Sequence, residues 1–132
     1  MEPVDSKSTT QTVEQTFPPT EVPVSFSMAL DGRLARTKAA LSERPDDKNL
    51  QNYLEIYTNA KDSLISGKDS KELRKAITIQ QVLLVTDLIR TMNKNKEAAA
   101  TGFEITPTDK LDKELQELKD FESRLSSQQT SK

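Results

Sequence analysis

The chain has 132 residues, contains no Cys, His or Trp, and carries a formal net charge of −2. Without Cys it has no disulfide, no thiolate nucleophile and no zinc–thiolate site. Without His it lacks the commonest general base and metal ligand near neutral pH. Its apolar fraction of 33% is low for a soluble domain, so we expect one domain with a small core.

We therefore predict a non-enzymatic protein with no catalytic residue, no cofactor and no metal site. The sequence contains no Gly-rich phosphate loop, no calcium-loop pattern and no His-containing metal motif. The acid pairs Asp46/Asp47 and Asp109/Asp112 stand at predicted helix starts. There, carboxylates accept backbone N–H bonds and complement the helix dipole, which is a structural use of the acids.

The first 25 residues differ in composition from the remainder. They hold four of the six prolines in a Ser/Thr/Gln-rich sequence and have a net charge of −3. Because this segment has too little apolar surface to offset the entropy of ordering, we predict that residues 1–25 are disordered. They do not resemble a Sec-type signal peptide, and the chain has no apolar run long enough for a transmembrane helix. We expect a cytoplasmic protein, or one exported without a cleaved Sec signal.

Helical periodicity begins at Phe26 and predicts two helices joined by a tight turn. The first, about residues 26–43, ends before Pro45, which disfavours helical backbone in the residue that precedes it. The second, about residues 47–66, carries an apolar stripe and ends at Gly67. Asp46 or Asp47 is expected to cap it. A connection this short favours an antiparallel helical hairpin.

The third predicted helix, about residues 70–98 with Gly102 as its expected stop, is apolar on two faces. Ten of the seventeen residues from 76 to 92 are apolar. One stripe comprises Leu73, Ile77, Gln80, Leu84 and Leu88, and the other comprises Ile79, Val82, Val85, Ile89 and Met92. We expect Asp69 to begin this helix in a capping box with Glu72. A helix with two apolar faces must bury both, and the hairpin covers only part of this surface.

The fourth predicted helix, about residues 107–125, is amphipathic and has Pro107 in its first turn. Leu111, Leu115, Leu118 and Leu125 follow coiled-coil spacing, with Glu122 as a charged interruption. Residues 126–132 are predicted to be a disordered polar tail. The expected fold is all-α, a three- to four-helix bundle over residues 26–125 with a disordered N-terminus.

The apolar surplus on the third helix predicts contact with another protein, either a partner or a second copy of the chain. We assign this contact to Ile79, Val82, Val85, Ile89, Met92, Leu111, Leu115 and Leu118. An alternative of another class is nucleic-acid binding through residues 68–96, where seven basic residues outnumber three acidic ones. The absence of aromatic residues for base stacking in this segment disfavours that alternative. No small-molecule substrate is indicated.

Two segments carry a resemblance to a known family. The turn Ser42-Glu43-Arg44-Pro45-Asp46-Asp47, within residues 40–50, resembles the helix–turn–helix of type III secretion needle subunits. Residues 77–95 are similar to the final helix of the inner-rod subunits of that apparatus. The resemblance implies a non-enzymatic subunit that is exported unfolded and polymerises through its terminal helices. Since the chain continues past Asn95 with a fourth helix, an associated chaperone or another secreted component is the alternative within this class.

Overall fold

The computed structural model describes residues 17–130, which form four α-helices and one short 3-10 turn, Pro19–Glu21. The helices are α1 (Val24–Glu43), α2 (Lys48–Ser66), α3 (Lys71–Thr101) and α4 (Asp109–Thr130). No strand occurs within this part of the chain. The predicted all-α bundle is confirmed, and each predicted helix corresponds to one observed helix.

Polar contacts between helices show that the chain runs up and down in antiparallel pairs. Asp31, in the first half of α1, accepts a hydrogen bond of 2.6 Å from Lys61, in the second half of α2. The register of α3 against α4 is equally clear, because Gln81 donates to Glu122 at 3.0 Å. Helix α4 therefore packs along the body of the bundle.

Three helix boundaries follow the local chemistry that the sequence predicts. Asp47 caps α2, since its carboxylate accepts a 3.1 Å hydrogen bond from the backbone N–H of Leu50. Gly67 and Gly102 end α2 and α3 with φ values of 73° and 83°. This left-handed backbone strains residues that carry a Cβ, so glycine is favoured at both positions.

Two details of the predicted helix starts differ from the structure. Ser70, not Asp69, caps α3, because its hydroxyl accepts the backbone N–H of Leu73 at 3.0 Å. The carboxylate of Asp69 instead binds the guanidinium of Arg74 at 2.7 Å. Pro107 lies before α4, which begins at Asp109. Sequence spacing does not distinguish Asp69 from Ser70 as the cap of α3. The ion pair with Arg74 occupies the carboxylate of Asp69 and leaves the capping position to Ser70.

The predicted limits of the ordered region also differ from the structure. Of the predicted disordered segment 1–25, residues 1–16 lie outside the described part of the chain. Phe17, however, is buried, and its backbone N–H donates a 2.8 Å hydrogen bond to the carbonyl of Gly67. At the other end, α4 continues to Thr130, so the predicted tail 126–132 is largely helical where it is described.

The core lies at the end of the bundle where α2 passes into α3. Buried side chains come from the first part of α1, the second part of α2, α3 as far as Leu84, and α4 from Leu118 onward. The intervening residues 85–117 include no buried residue, and we call them the arm. Since α3 has 31 residues and α2 only 19, α3 is longer by about 18 Å at a rise of about 1.5 Å per residue.

Replacing Gly67 with alanine tests the docking of the N-terminal segment on α2. A Cβ at Gly67 would lie 2.8 Å from the carbonyl oxygen of Phe17, in addition to the strain of a positive φ. At Gly102 the same substitution meets nothing within 4 Å. We expect Gly102→Ala to lower the free energy of unfolding by about 1 kcal/mol, and Gly67→Ala to lower it by at least about 1 kcal/mol more.

Urea denaturation followed by circular dichroism measures both losses. Equal losses in the two variants would contradict the close approach of Phe17 to Gly67.

Candidate protein-binding surface

Four large apolar side chains are exposed on successive turns of α3. Val82 is 58% exposed, Val85 41%, Ile89 55% and Met92 59%. Their 3-4-3 spacing places them on one face of the helix, which we call the α3 stripe. The stripe therefore presents apolar surface to solvent over about 15 Å of helix.

The opposite face of α3 belongs to the core. Leu73, Ile77 and Leu84 are almost completely buried, and Gln80 on the same side accepts a long, 3.5 Å hydrogen bond from Arg33 of α1. The two apolar faces predicted for this helix thus have different environments. One is packed inside the bundle, and the other is open along most of its length.

The remaining predicted contact residues are less available to a partner. Leu118 is 1% exposed and belongs to the core, so in this fold its side chain is not accessible to a partner. Ile79, Leu111 and Leu115 are partly buried and pack against the core. For Leu111, Leu115 and Leu118 the reason is the packing of α4 on α3, which covers the seam that the sequence leaves open to either a partner or the body of the bundle. Ile79 instead lies beside Ile56 of α2.

A shallow groove links the two helices beside the stripe. It has a volume of about 290 Å³ and is lined by Gln81, Val82, Val85, Thr86, Leu115 and Lys119. The partly buried Leu115 forms its floor toward α4, while Val82 and Val85 form the wall that belongs to the stripe. The arrangement joins side chains of both helices into one apolar depression.

A second, larger depression lies toward the N-terminal end of the same face of α3. Its volume is about 390 Å³, and its lining is Ile56, Lys71, Arg74, Lys75, Thr78 and Ile79. Ile79 connects this depression with the stripe. Apolar surface therefore continues toward the basic first turns of α3, where the aliphatic stems of the lysines extend it.

The basic residues of α3 are not equivalent. Arg74 is held by Asp69 at 2.7 Å and donates to the hydroxyl of Ser126 at 3.2 Å, while Arg90 pairs with Asp87 at 3.4 Å. Lys71 and Lys75 are exposed at the base of the outward face. These two lysines carry positive charge beyond the N-terminal end of the stripe.

The turn at the tip of the arm exposes two more apolar side chains that the sequence did not single out. Phe103 is 73% exposed and Ile105 is 55% exposed. The side chain of Asn95 fixes this turn, because it donates to the carbonyl of Thr106 and accepts the N–H of the same residue, both at 2.8 Å. The only sequence signal was two large apolar residues in a loop between Gly102 and Pro107.

The two tyrosines of α2 have separate environments. Tyr57 is buried and Tyr53 is exposed, with the rings stacked at a centroid distance of 6.0 Å. Burial raises the pKa of the Tyr57 hydroxyl, and nearby Arg33 partly opposes this effect. Tyr57 is thus a packing element of the core whose hydroxyl lies close to the guanidinium of Arg33.

The described residues offer no cluster of three or more Asp, Glu, His or Cys side chains that could hold a metal ion. Between residues 17 and 130, no helix is both long and apolar enough to cross a bilayer.

Placing aspartate at adjacent positions of α3 separates its two faces. Leu84 is 4% exposed and Val85 is 41% exposed. We expect Leu84→Asp to lower the free energy of unfolding by more than about 3 kcal/mol, since it buries an unpaired carboxylate. Val85→Asp should change it by no more than about 1 kcal/mol. Similar losses in urea denaturation would mean that the stripe is part of the core.

Removing the side chain of Asn95 tests the rigidity of the tip. In Asn95→Ala the amide of Thr106 loses its acceptor, so we expect its hydrogen exchange to accelerate about tenfold. Asn93 is exposed on the same stretch of helix, and Asn93→Ala is the matched control. Unchanged exchange at Thr106 in Asn95→Ala would show that the side chain does not hold the turn.

Comparison with known proteins yields no relative for this chain. No protein-family model matches the sequence, and neither a curated protein nor a solved structure is similar to it.

Proposed function

We propose that this chain is a non-enzymatic interaction and assembly protein whose contact surface is the α3 stripe. The observation that carries the proposal is the exposure of Val82, Val85, Ile89 and Met92, each at least 41%, on a helix whose other face already supplies the core. Single exposed apolar residues are ordinary on protein surfaces. Four on successive turns of one face form a continuous patch, which is typical of an interaction site.

The spacing of the stripe favours a helical partner. Val82, Val85, Ile89 and Met92 alternate steps of three and four residues, which is the seam that packs knobs into holes of a second helix. The neighbouring groove with Leu115 on its floor provides depth for such side chains. A partner helix in this position would bury the stripe and the groove together.

Polar contacts between α3 and α4 also fix the conformation of the arm. Gln81 bonds Glu122 and Arg74 bonds Ser126 toward the base of the α3–α4 pair, and Asn95 binds Thr106 near the tip. Contacts at both ends keep α3 and α4 in register along the arm. Because a partner would not have to order this surface, little conformational entropy is lost on binding.

Nucleic-acid binding by residues 68–96 remains the alternative of another class. Against it, Arg74 and Arg90 are engaged with carboxylates, and the apolar stripe occupies the middle of the basic segment. Phosphate binding requires cations free to replace counterions, so its affinity falls steeply with salt. Tight binding of duplex or single-stranded DNA that weakens steeply with salt and persists in Val85→Asp would favour this alternative over ours.

The resemblance to type III secretion needle and inner-rod subunits stays a prediction. A subunit of that apparatus, or a chaperone or secreted component associated with it, would be one form of the assembly role proposed here. Genes for an export ATPase and a secretin beside the gene of this protein would favour that form, and their absence would count against it.

Retention of proteins from an extract of the native source tests the assignment. The full chain and its Val85→Asp variant are immobilised in equal amounts, with Thr58→Asp on the exposed face of α2 as the matched control. We expect a defined set of proteins to be retained by the full chain and by Thr58→Asp, and to be lost with Val85→Asp. The reason is that one carboxylate in the middle of the stripe would be buried without a partner.

Light scattering over the micromolar range complements this experiment by reporting self-association. An oligomer that dissociates in Val85→Asp would place the contact between two copies. If Val85→Asp changes neither the set of proteins retained from the extract nor the mass measured by light scattering, the proposed surface is contradicted.

A further inference from the structure

We propose that the partner presents an acidic amphipathic helix to the outward face of α3, which consists of the α3 stripe and the lysines that border it, Lys71, Lys75 and Lys96. This inference rests on the proposed function and adds the chemistry of the ligand. The α3 stripe is bounded along the helix axis by lysines, Lys75 on the side of the N-terminus and Lys96 on the side of the tip. The fitting ligand has apolar residues in its centre and carboxylates at both ends.

The positions of these side chains follow from the helical repeat of α3. At about 100° per residue, Lys75, Val82 and Ile89 lie about 140–180° from the buried Leu84. Lys71 and Lys96 lie about 120–140° from Leu84 in the same direction. Basic and apolar residues thus share one face, and Lys71, Lys75 and Lys96 are all exposed.

The acidic residues of α3 are absent from this face. Glu72, Asp87 and Glu97 lie about 60–140° from Leu84 on the other side of the helix, away from Val85 and Met92. From α4, the side chain beside the stripe is Lys119, which is exposed and lines the groove with Val82 and Val85. Asp112, seven residues before Lys119, is exposed on the same face of α4. The border of the apolar surface is therefore cationic at the base and at the tip, and of mixed charge along the α4 side.

This distribution of charge disfavours a second copy of the chain as the occupant. Parallel pairing of two α3 stripes would set Lys75 against Lys75 and Lys96 against Lys96. Antiparallel pairing centred on the stripe would bring Lys75 within about one turn of the other copy's Lys96. Either arrangement opposes like charges, whereas glutamates or aspartates at those places would be attracted.

The distances define the ligand further. Lys75 precedes Val82 by about 10 Å along the helix, and Lys96 follows Met92 by about 6 Å. A helix of about six turns spans the whole face, with two central heptads of apolar residues and acidic residues in its first and last turns. A lipid surface, by contrast, has no fixed spacing of charged and apolar groups, so it would not recognise the spacing of Lys75, the α3 stripe and Lys96 along one helix.

Two designed peptides test the inference with the full chain. Both are helical 25-residue sequences with Leu and Ile at the a and d positions of two central heptads. One carries Glu in its first and last turns, outside the two heptads, and the other carries Lys at the same positions. Binding is measured by fluorescence anisotropy at concentrations where each peptide alone is monomeric, in about 50 mM and about 300 mM NaCl.

We expect the acidic peptide to bind about tenfold or more tightly than the basic one at low salt, and this difference to shrink at high salt. The triple variant K71E/K75E/K96E should reverse the preference, and the substitutions lie on exposed positions. Val85→Asp should abolish binding of both peptides, whereas Thr58→Asp should leave both unchanged.

The outcomes separate this inference from the proposed function. Equal binding of the two peptides, or binding of neither while Val85-dependent retention from the extract persists, would overturn the acidic ligand and leave the interaction role intact. A Val85-dependent dimer, or Val85-dependent sedimentation with vesicles of phosphatidylserine and phosphatidylcholine, would overturn it in favour of a second copy or a lipid surface. If Val85→Asp changes none of these measurements, the proposed function fails as well.

Discussion

The side chain of Phe121 is completely buried and meets two other phenylalanines that come from distant parts of the chain. Its ring is perpendicular to that of Phe17 at a centroid distance of 5.2 Å and tilted against that of Phe26 at 6.5 Å. These contacts join α4, the segment before α1, and α1 itself at one point. Since aromatic pairs add to the free energy of burying their surface, the bundle is closed chiefly at this end. The contacts of Phe121 fix the register of α4 along α3. They thereby also determine how much of α3 extends beyond the core.

The features predicted correctly from the sequence are those decided by neighbouring residues. The four helices, the cap at Asp47 and the glycine ends at Gly67 and Gly102 depend on local backbone chemistry, which the sequence displays directly. The two-faced character of α3 was also visible, because helical periodicity alone sorts Leu84 from Val85. Predicting these features does not require knowing which helices pack against each other.

The errors concern contacts between segments far apart in the chain. Phe17 lies in a Ser/Thr/Pro-rich stretch and has no periodic neighbours, so nothing local indicates that it fills a site between Gly67 and Phe121. For Leu118, the coiled-coil spacing of α4 predicts a partner contact equally well as a core position, because the spacing is the same whether the seam faces the bundle or another protein. Only the three-dimensional packing distinguishes these cases, and it turns the seam of α4 inward.

The stripe on α3 is not required by the fold. Helix α3 is already held by its core face and by α4, so polar residues at Val82, Ile89 and Met92 would serve the bundle equally well. Exposed apolar side chains carry a cost in solubility, and a low overall apolar content makes their concentration on one face more informative. The small apolar fraction of this chain therefore forms a compact core at one end and a continuous exposed stripe along α3, while other exposed apolar side chains, such as Val24, Met28 and Ile65, lie on α1 and α2. A stripe that does not stabilise the monomer is best explained by what it contacts.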